Sequence, residues 1–277
     1  MKFIMNIIVT MAGKSKRFKK AGIKQPKFLL PLSSDSTAIS EVLNTYDDND
    51  NFHLVITDQQ AKKFSNLKNY LKNLKKNVYL NVIPEHNKGP AYSAKQAKSC
   101  EGKKDVIVSY CDFLMEWNYK KFKREIINYD FGIVSFKGFH PSSFSGTLYC
   151  YLKVLNNEII NLREKKSFTK EPSTEYASTG SYFFKDFNIL KYYTEKAFKN
   201  KFINSNFREI YVSLLYLLII KDRYKVLNFE VEKFISIGTP RDYNQYINWL
   251  NFFKEKSYLK IYDKKYHYTY GRIRKKI

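Results

Sequence analysis

The residues best suited to chemistry begin near the N-terminus, where Ile7-Ile8-Val9-Thr10 runs through Met11, Ala12 and Gly13 into Lys14, Ser15, Lys16 and Arg17. Small residues at a strand exit let backbone N–H groups approach a phosphate chain, and the cations beyond them, with Lys27 of Pro26-Lys27, neutralise its charge. An ordinary strand exit followed by a solvated basic loop explains the same segment without a ligand. One carboxylate, Asp112, follows the apolar Val106-Ile107-Val108 between Cys111 and Phe113, a poor setting for a solvated charge. It suits a metal ligand, or a cap or turn. Farther on, Arg163-Glu164-Lys165 places an acid beside cations, and Thr179-Gly180-Ser181 offers a backbone that a hydroxyl-rich molecule can approach.

Something must hold these groups together. Apolar, β-branched runs recur at Ile7 to Thr10, Leu54 to Thr57, Val78 to Ile83, Val106 to Ser109 and Gly132 to Phe136. Helix-compatible stretches lie between most of them: Ile39 to Asn44, Asp58 to Leu74, Ala91 to Ser99 and Tyr119 to Ile127. Such alternation predicts an α/β fold with a mostly parallel sheet flanked by helices. Ligands bind outside the carboxyl ends of such strands, which brings the Gly13 loop and Asp112 to one crevice. After residue 138, Thr147 to Leu155, an Asn156-Asn157 turn, Glu158 to Glu164 and Ser178 to Phe184 predict antiparallel strands laid over the open side of the sheet. A strand at Val226 to Glu230 and a closing helix at Asp242 to Lys254 complete the pattern.

The 277 residues are 44% hydrophobic, with 22 Phe and 23 Tyr, which excludes a disordered chain. Three scattered cysteines, Cys100, Cys111 and Cys150, indicate neither a zinc site nor a disulfide framework. The apolar opening lacks a cleavage pattern, and Tyr211 to Ile220 is too short to cross a bilayer, so a cytoplasmic protein with no membrane span is expected. The net charge of +23 draws polyanions but does not choose among them, and an AT-rich coding bias yields the same composition.

The order Ala12-Gly13-x-x-x-Arg17-Phe18, then Pro26-Lys27, resembles the signature of the sugar nucleotidyltransferase family, A-G-x-G-[ST]-R-[LMF] followed by P-K. Ser15 replaces the second Gly and Lys16 the Ser or Thr, so Ser15 bears a steric cost if that position needs a positive φ. Further stretches match in order: Glu85 to Ala91, with Pro90 replacing Thr, resembles the turn on base and ribose. Tyr110-Cys111-Asp112-Phe113 resembles the strand end that binds magnesium, Glu164-Lys165 the pair that meets the sugar and its phosphate, and Thr179 to Tyr182 the sugar-pocket turn. Gly238-Thr239-Pro240-Arg241-Asp242 resembles the family's G-T-P-x-D segment. The resemblance spans roughly residues 5 to 250 and reaches furthest with members from bacterial capsular polysaccharide operons.

It implies a single Rossmann-like (GT-A-like) nucleotidyltransferase domain over residues 1–255, with a basic Tyr/Lys-rich tail at 256–277. Catalysis would fall to Arg17, Lys27, Asp112 and Lys165. The nucleotide would meet Met11, Ala12, Gly13, Lys14, Ser15, Glu85, Gly89, Pro90 and Cys111. The acceptor would meet Gly146, Glu164, Lys165 and Gly180, although Gly146 reads equally as a hairpin glycine. Mg2+ on Asp112 is the implied cofactor, and an NTP and a phosphorylated sugar are the implied partners, not nucleic acid. Where many members carry a second metal-binding Asp, this chain has Ser236; Asp242 either substitutes for it or caps a helix. His86 and His140 read as surface or supporting residues, and Trp117 as packing. Cytidylyl transfer to a polyol or choline-like phosphate, a binding-only homologue and a nucleic-acid-binding protein using the tail are the competing readings.

Overall fold

The aliphatic runs become strands, buried throughout at Asn6–Thr10 and Phe131–Phe136 but with Tyr79 and Val82 exposed in the run at Val78–Ile83. A computed structural model describes residues 4–64, 66–138, 140, 143 and 146–255; the basic tail lies outside the described residues. Strand β1 (Asn6–Thr10) leads into a short helix α1 (Lys16–Lys20), a 3-10 turn at Lys27–Leu29 and α2 (Ala38–Asn44). Then come β2 (Asn51–Thr57), α3 (Asp58–Lys63), α4 (Leu67–Asn73), β3 (Val78–Ile83), α5 (Pro90–Lys95) and β4 (Lys104–Ser109). These four strands are parallel, in spatial order β3-β2-β1-β4.

Along β1 the side chains alternate between two cores, as the period of a strand requires. Ile7 and Val9 join Leu54, Ile56 and Ile107 under α2 and α4, whereas Ile8 joins Val55, Val106 and Val108 under α5 and later helices. Each fully buried aliphatic side chain contributes about 1.5–3 kcal/mol, which fixes strand register on both faces. Leu67 and Leu71 are buried as expected, but the helix expected over Asp58 to Leu74 is two. Phe64 leaves α3 with extended dihedrals, and α4 restarts after Asn66.

The second half adds β5 (Phe113–Glu116), α6 (Tyr119–Glu125), β6 (Phe131–Phe136), and a hairpin of β7 (Cys150–Leu155) and β8 (Glu158–Glu164). Asn156 and Asn157 both take positive φ at its turn, 50° and 64°, the conformation two-residue hairpins favour. Next are β9 (Tyr176–Asp186), α7 (Phe187–Lys199), α8 (Lys201–Asn206), α9 (Val212–Lys221), β10 (Val226–Glu230), β11 (Lys233–Ser236) and α10 (Pro240–Glu255). The result is one mixed α/β domain whose described residues form a nine-stranded central sheet between helices.

The antiparallel strands sit elsewhere than expected: β8 and β7 continue the central sheet beyond β10. β9 does not lie over the sheet; it is inserted in it, antiparallel to β4 on one side and β6 on the other. Tyr182, Phe183 and Phe184 fill both cores, and that burial is available only inside the sheet. The apolar run at Tyr211 to Ile220 is the buried helix α9, and among the described residues no helix is long and apolar enough to cross a membrane.

Candidate active site

β1 and β4 are hydrogen-bonded neighbours, with Val9 opposite Ser109, so the chain leaves both at the same edge of the sheet. Past β1, Met11 still donates its N–H to Val55 O (2.9 Å), and both Met11 and Ala12 are buried. Gln60, on α3, donates to Met11 O at 2.9 Å and to Gly13 O at 3.5 Å, clamping the start of the loop. Gln60 belongs to a capping box with Thr57, whose T-x-x-Q spacing is the signal by which sequence reasoning could have found it. The N–H groups of Gly13, Lys14 and Ser15 donate to no other described residue, which suits them to an anion.

Ser15 is left-handed, at φ 50° and ψ 35°, as expected if the family's glycine position needs that conformation. Its hydroxyl accepts the N–H of Lys27 at 3.1 Å and so ties the loop to the Pro26-Lys27 turn. Lys27 then places Nζ 2.7 Å from Asp112 Oδ2. Burial pushes the Lys27 ammonium toward neutrality, but the Asp112 carboxylate outweighs it and holds the lysine above its ordinary range. Arg17, exposed on α1, is close enough to act on Lys27 in the opposite sense. Lys14 pairs with Glu85 at 2.5 Å, joining the basic loop to the Glu85–Ala91 turn. Ala12, Gly13, Lys14, Ser15, Thr57 and Glu85 border one cleft.

Asp112 is held from the far side by β5 and β11, a two-stranded pairing that the sequence did not disclose. Phe113 lies opposite Ser236, and Ile237 donates its N–H to Asp112 O at 2.9 Å. Gly238 is needed there: a Cβ would stand 2.8 Å from Asp112 Oδ2 and 3.4 Å from Ser236 Oγ. The carboxylate and the Ser236 hydroxyl therefore border one spot. Asp242 is not a helix cap of the expected kind. It sits in the first turn of α10, where Thr239 precedes the helix, accepts the Asp242 N–H (3.2 Å) and donates to its carboxylate (2.7 Å).

Among the described residues no group of three or more His, Cys, Asp or Glu could hold a metal. One carboxylate beside a hydroxyl suits a hard cation that takes its remaining ligands from phosphate oxygens and water, which is how magnesium is usually bound. Cys111 is fully buried and its thiol is pushed up to about 12 by burial, so it packs rather than reacts.

Of the residues expected to meet an acceptor, Glu164 ends β8 and accepts a hydrogen bond from Ser213 Oγ at 2.6 Å. Burial raises its pKa, offset in part by the Ser213 bond and the charge of Lys165. Lys165 follows at φ 55°, with Nζ 2.5 Å from the hydroxyl of Tyr211 and 4.1 Å above its ring centre. Ser213 and Tyr211 carried no signal in the sequence. Gly180 sits within β9 at φ 98°, where a Cβ would meet Tyr110 Cδ2 at 2.8 Å, and its carbonyl accepts the Tyr110 N–H. Gly146 is exposed at φ 80° with open space around it.

Gly89, at φ 93°, precedes α5 with Pro90 in its first turn, a position that needs no N–H. Its missing side chain lets the backbone of Ile210 approach; a Cβ would lie 2.6 Å from Ile210 N. His86 bonds Ser93 Oγ (3.0 Å) and accepts the Lys88 N–H (3.1 Å); His140 is buried and accepts the Phe234 N–H (3.1 Å). Both are structural. Trp117 packs among Tyr46, Tyr119 and Phe122 and donates to Thr45 O.

A sequence profile for nucleotidyl transferases matches residues 6–248. The chain belongs to that family. No curated protein matches this nucleotidyltransferase by sequence. Its fold is similar to that of the nucleoside-diphosphate-sugar pyrophosphorylase from Vibrio cholerae RC9, with a TM-score of 0.74 at 18% identity over 87% of this chain and 99% of that one. HddC from Yersinia pseudotuberculosis gives 0.65 and 18% over 89% and 100%. The inositol-1-phosphate CTP transferase from T. maritima gives 0.62 and 14% over 88% and 95%.

Proposed function

We propose that this nucleotidyltransferase joins a nucleoside monophosphate from an NTP to a sugar phosphate, forming an NDP-sugar and pyrophosphate. The observation that carries the reading is the Lys27–Asp112 pair beside a loop whose N–H groups are uncommitted, with Glu164 and Lys165 on the side reached through Tyr110. An oxygen of the acceptor phosphate attacks the α-phosphorus. A bond forms there as the bridge to the β-phosphate breaks, and the electron pair leaves on pyrophosphate.

Both reactants are anions, so the barrier is largely repulsion and the protein's contribution is placed positive charge. Arg17 and Lys27 stabilise the departing pyrophosphate, Lys165 binds the acceptor phosphate, and Glu164 accepts hydrogen bonds from its hydroxyls. Asp112, with Ser236 beside it, would hold Mg2+ brought with the triphosphate, which neutralises further charge on the phosphate oxygens. A role in capsular or other surface polysaccharide synthesis is supported by the Tyr110 to Phe113 and Gly238 to Tyr243 stretches, and use of free NTP fits a cytoplasmic enzyme.

Pyrophosphate release across the four NTPs and dTTP, with sugar and polyol phosphates and Mg2+, tests this. Turnover with a sugar 1-phosphate is expected. Turnover confined to CTP and a polyol phosphate transfers the reading to the cytidylyl class, to which the T. maritima fold relative belongs by its name. If no pair turns over while a nucleotide still raises the melting temperature, the protein binds without reacting.

A further inference from the structure

Four consecutive residues touch the turn around Gly89, the Tyr110 strand end and the Glu164-Lys165 pair. Ile210 donates its N–H to Lys88 O and accepts the Ala91 N–H, both at 3.1 Å, so it is bonded on either side of Gly89 in the turn assigned to the nucleotide. Tyr211 accepts the Lys165 ammonium at its hydroxyl and carries it over its ring. Val212 donates its N–H to Tyr110 Oη at 3.3 Å, and Tyr110 stands two residues before Asp112. Ser213 holds Glu164. The segment is rigid on physical grounds: it leads into α9, a helix whose Val212, Leu214, Leu215 and Ile219 are buried in the core.

We infer that Ile210–Ser213 is a positioning strap that couples the two substrate sites, with Tyr211 setting where Lys165 presents its charge to the acceptor phosphate. The inference deepens the transferase reading and rests on it for the identity of the two ligands. Lys165 needs such support. It is exposed, stands past the end of β8 in a left-handed conformation, and has four side-chain torsions that would otherwise be ordered only on binding. An aromatic face and a hydroxyl that hold the ammonium before the acceptor arrives remove part of that ordering. Because Ile210 is bonded to the turn around Gly89, displacement of that turn displaces the same strap. Nucleotide and acceptor therefore influence each other's binding without touching the same side chain.

The test is steady-state kinetics on the full chain with the NTP and acceptor pair that turns over. Tyr211→Ala should raise the acceptor KM by about three- to fivefold, from lost preorganisation, while the NTP KM stays within about twofold. Tyr211→Phe, which keeps the ring and loses only the hydroxyl, should recover part of the loss. Melting temperatures of both should stay close to that of the parent, because Tyr211 is only partly buried. Gly89→Ala, whose Cβ must push Ile210, should raise both KM values although Gly89 lies on the nucleotide side. An unchanged acceptor KM in Tyr211→Ala, equal losses for both substrates, or a Gly89→Ala effect confined to the NTP overturns the strap. If the parent turns over no pair, the transferase reading fails separately. The strap is then read from calorimetric binding of inorganic phosphate, which Tyr211→Ala should weaken and which, if unchanged, overturns it.

Discussion

On the nucleotide side, Asp112 and the Gly13 loop leave two adjacent parallel strands whose last residues are buried in the interior of the sheet. On the acceptor side, Glu164 and Lys165 end a strand joined to β10 through a single pair, Leu227 with Glu158, and otherwise to the β7 hairpin. The first arrangement is fixed by register: slipping either strand would turn a whole row of core side chains outward. The second depends on individual side-chain ties from the start of α9. On the proposed function, reaction geometry is thus built into the rigid half and acceptor recognition into the part that can be altered at less cost to the fold. Substitutions in the first region should damage chemistry, and substitutions in the second should damage affinity for one substrate.

The largest effect expected is that of Asp112→Asn. Removing the charge should lower kcat by about a thousandfold, the scale on which a placed electrostatic group acts in a transition state. It should also destabilise the fold by about 1–2 kcal/mol, because Lys27 is left half-buried without its carboxylate. The pH dependence has a definite sign. The folded state holds the Lys27 proton more tightly than the unfolded chain, so the pair's contribution is complete below the ordinary lysine pKa of 10.5 and is lost as pH rises through the higher folded value. The melting-temperature gap between parent and variant should therefore be flat from about pH 7 to 9. An active variant with unchanged Mg2+ dependence would break the comparison at its strongest point.

Next in size is Lys165→Ala, which should raise the acceptor KM about tenfold while leaving the NTP KM within about twofold. Lys165 is exposed, so stability should not change. Equal losses for both substrates would erase the distinction between the two regions.

The same contrast governs what the sequence disclosed. β1, β2, β4 and β6 were legible because a strand covered on both faces is written as a continuous aliphatic run; β3, whose Tyr79 and Val82 are exposed, was legible from its β-branched residues. Asp112 stood out as a charge where the β4 run stops. Neither the insertion of β9 between β4 and β6 nor the pairing of β5 with β11 could be read. Each depends on contacts between segments far apart in the chain, and the four residues of β5 are too few to show a period. The break between α3 and α4 was hidden because no Gly or Pro marks it. Ser213 and Tyr211 were invisible for a related reason: their importance lies in where α9 begins, and within the sequence they are only the polar start of an apolar run.

Glu164 gives a smaller, pH-dependent effect on the acceptor side. Burial raises its pKa above the ordinary glutamate value, so on acidification it takes up a proton earlier than an exposed carboxylate and loses charge as a hydrogen-bond acceptor. The acceptor KM should rise several-fold as pH falls through that raised value, and Glu164→Gln should show a flat profile. The stability sign is opposite to that of a salt-bridged acid. Protonation favours the folded state, and this contribution is lost as pH rises through the folded value, so Glu164→Gln should melt above the parent at neutral pH with the gap closing in acid. A pH-independent KM in the parent would remove Glu164 from acceptor binding.

The smallest effect is the most diagnostic of how this chain departs from its family. Ser15 occupies the left-handed position at which the family signature carries glycine, and relief of that strain by Ser15→Gly is worth about 1 kcal/mol. The hydroxyl it removes, however, accepts the Lys27 N–H at 3.1 Å, and such a bond contributes about 1 kcal/mol net. The two terms oppose each other, so the glycine variant should match the parent within about 0.5 kcal/mol. Ser15→Ala keeps the strained backbone and loses the bond, so it should fall about 1 kcal/mol below both, a shift of roughly 2–4 °C in melting temperature. Activity separates the terms further. Both variants untie the phosphate-facing loop from the turn that carries Lys27, and both should raise the NTP KM by about two- to threefold, leaving the acceptor KM unchanged. A glycine variant that is more stable than the parent by the full strain energy, with an unaltered NTP KM, would show that the Ser15 hydroxyl is not what joins the loop to the Lys27–Asp112 pair. The rigidity of the nucleotide side would then rest on strand register alone.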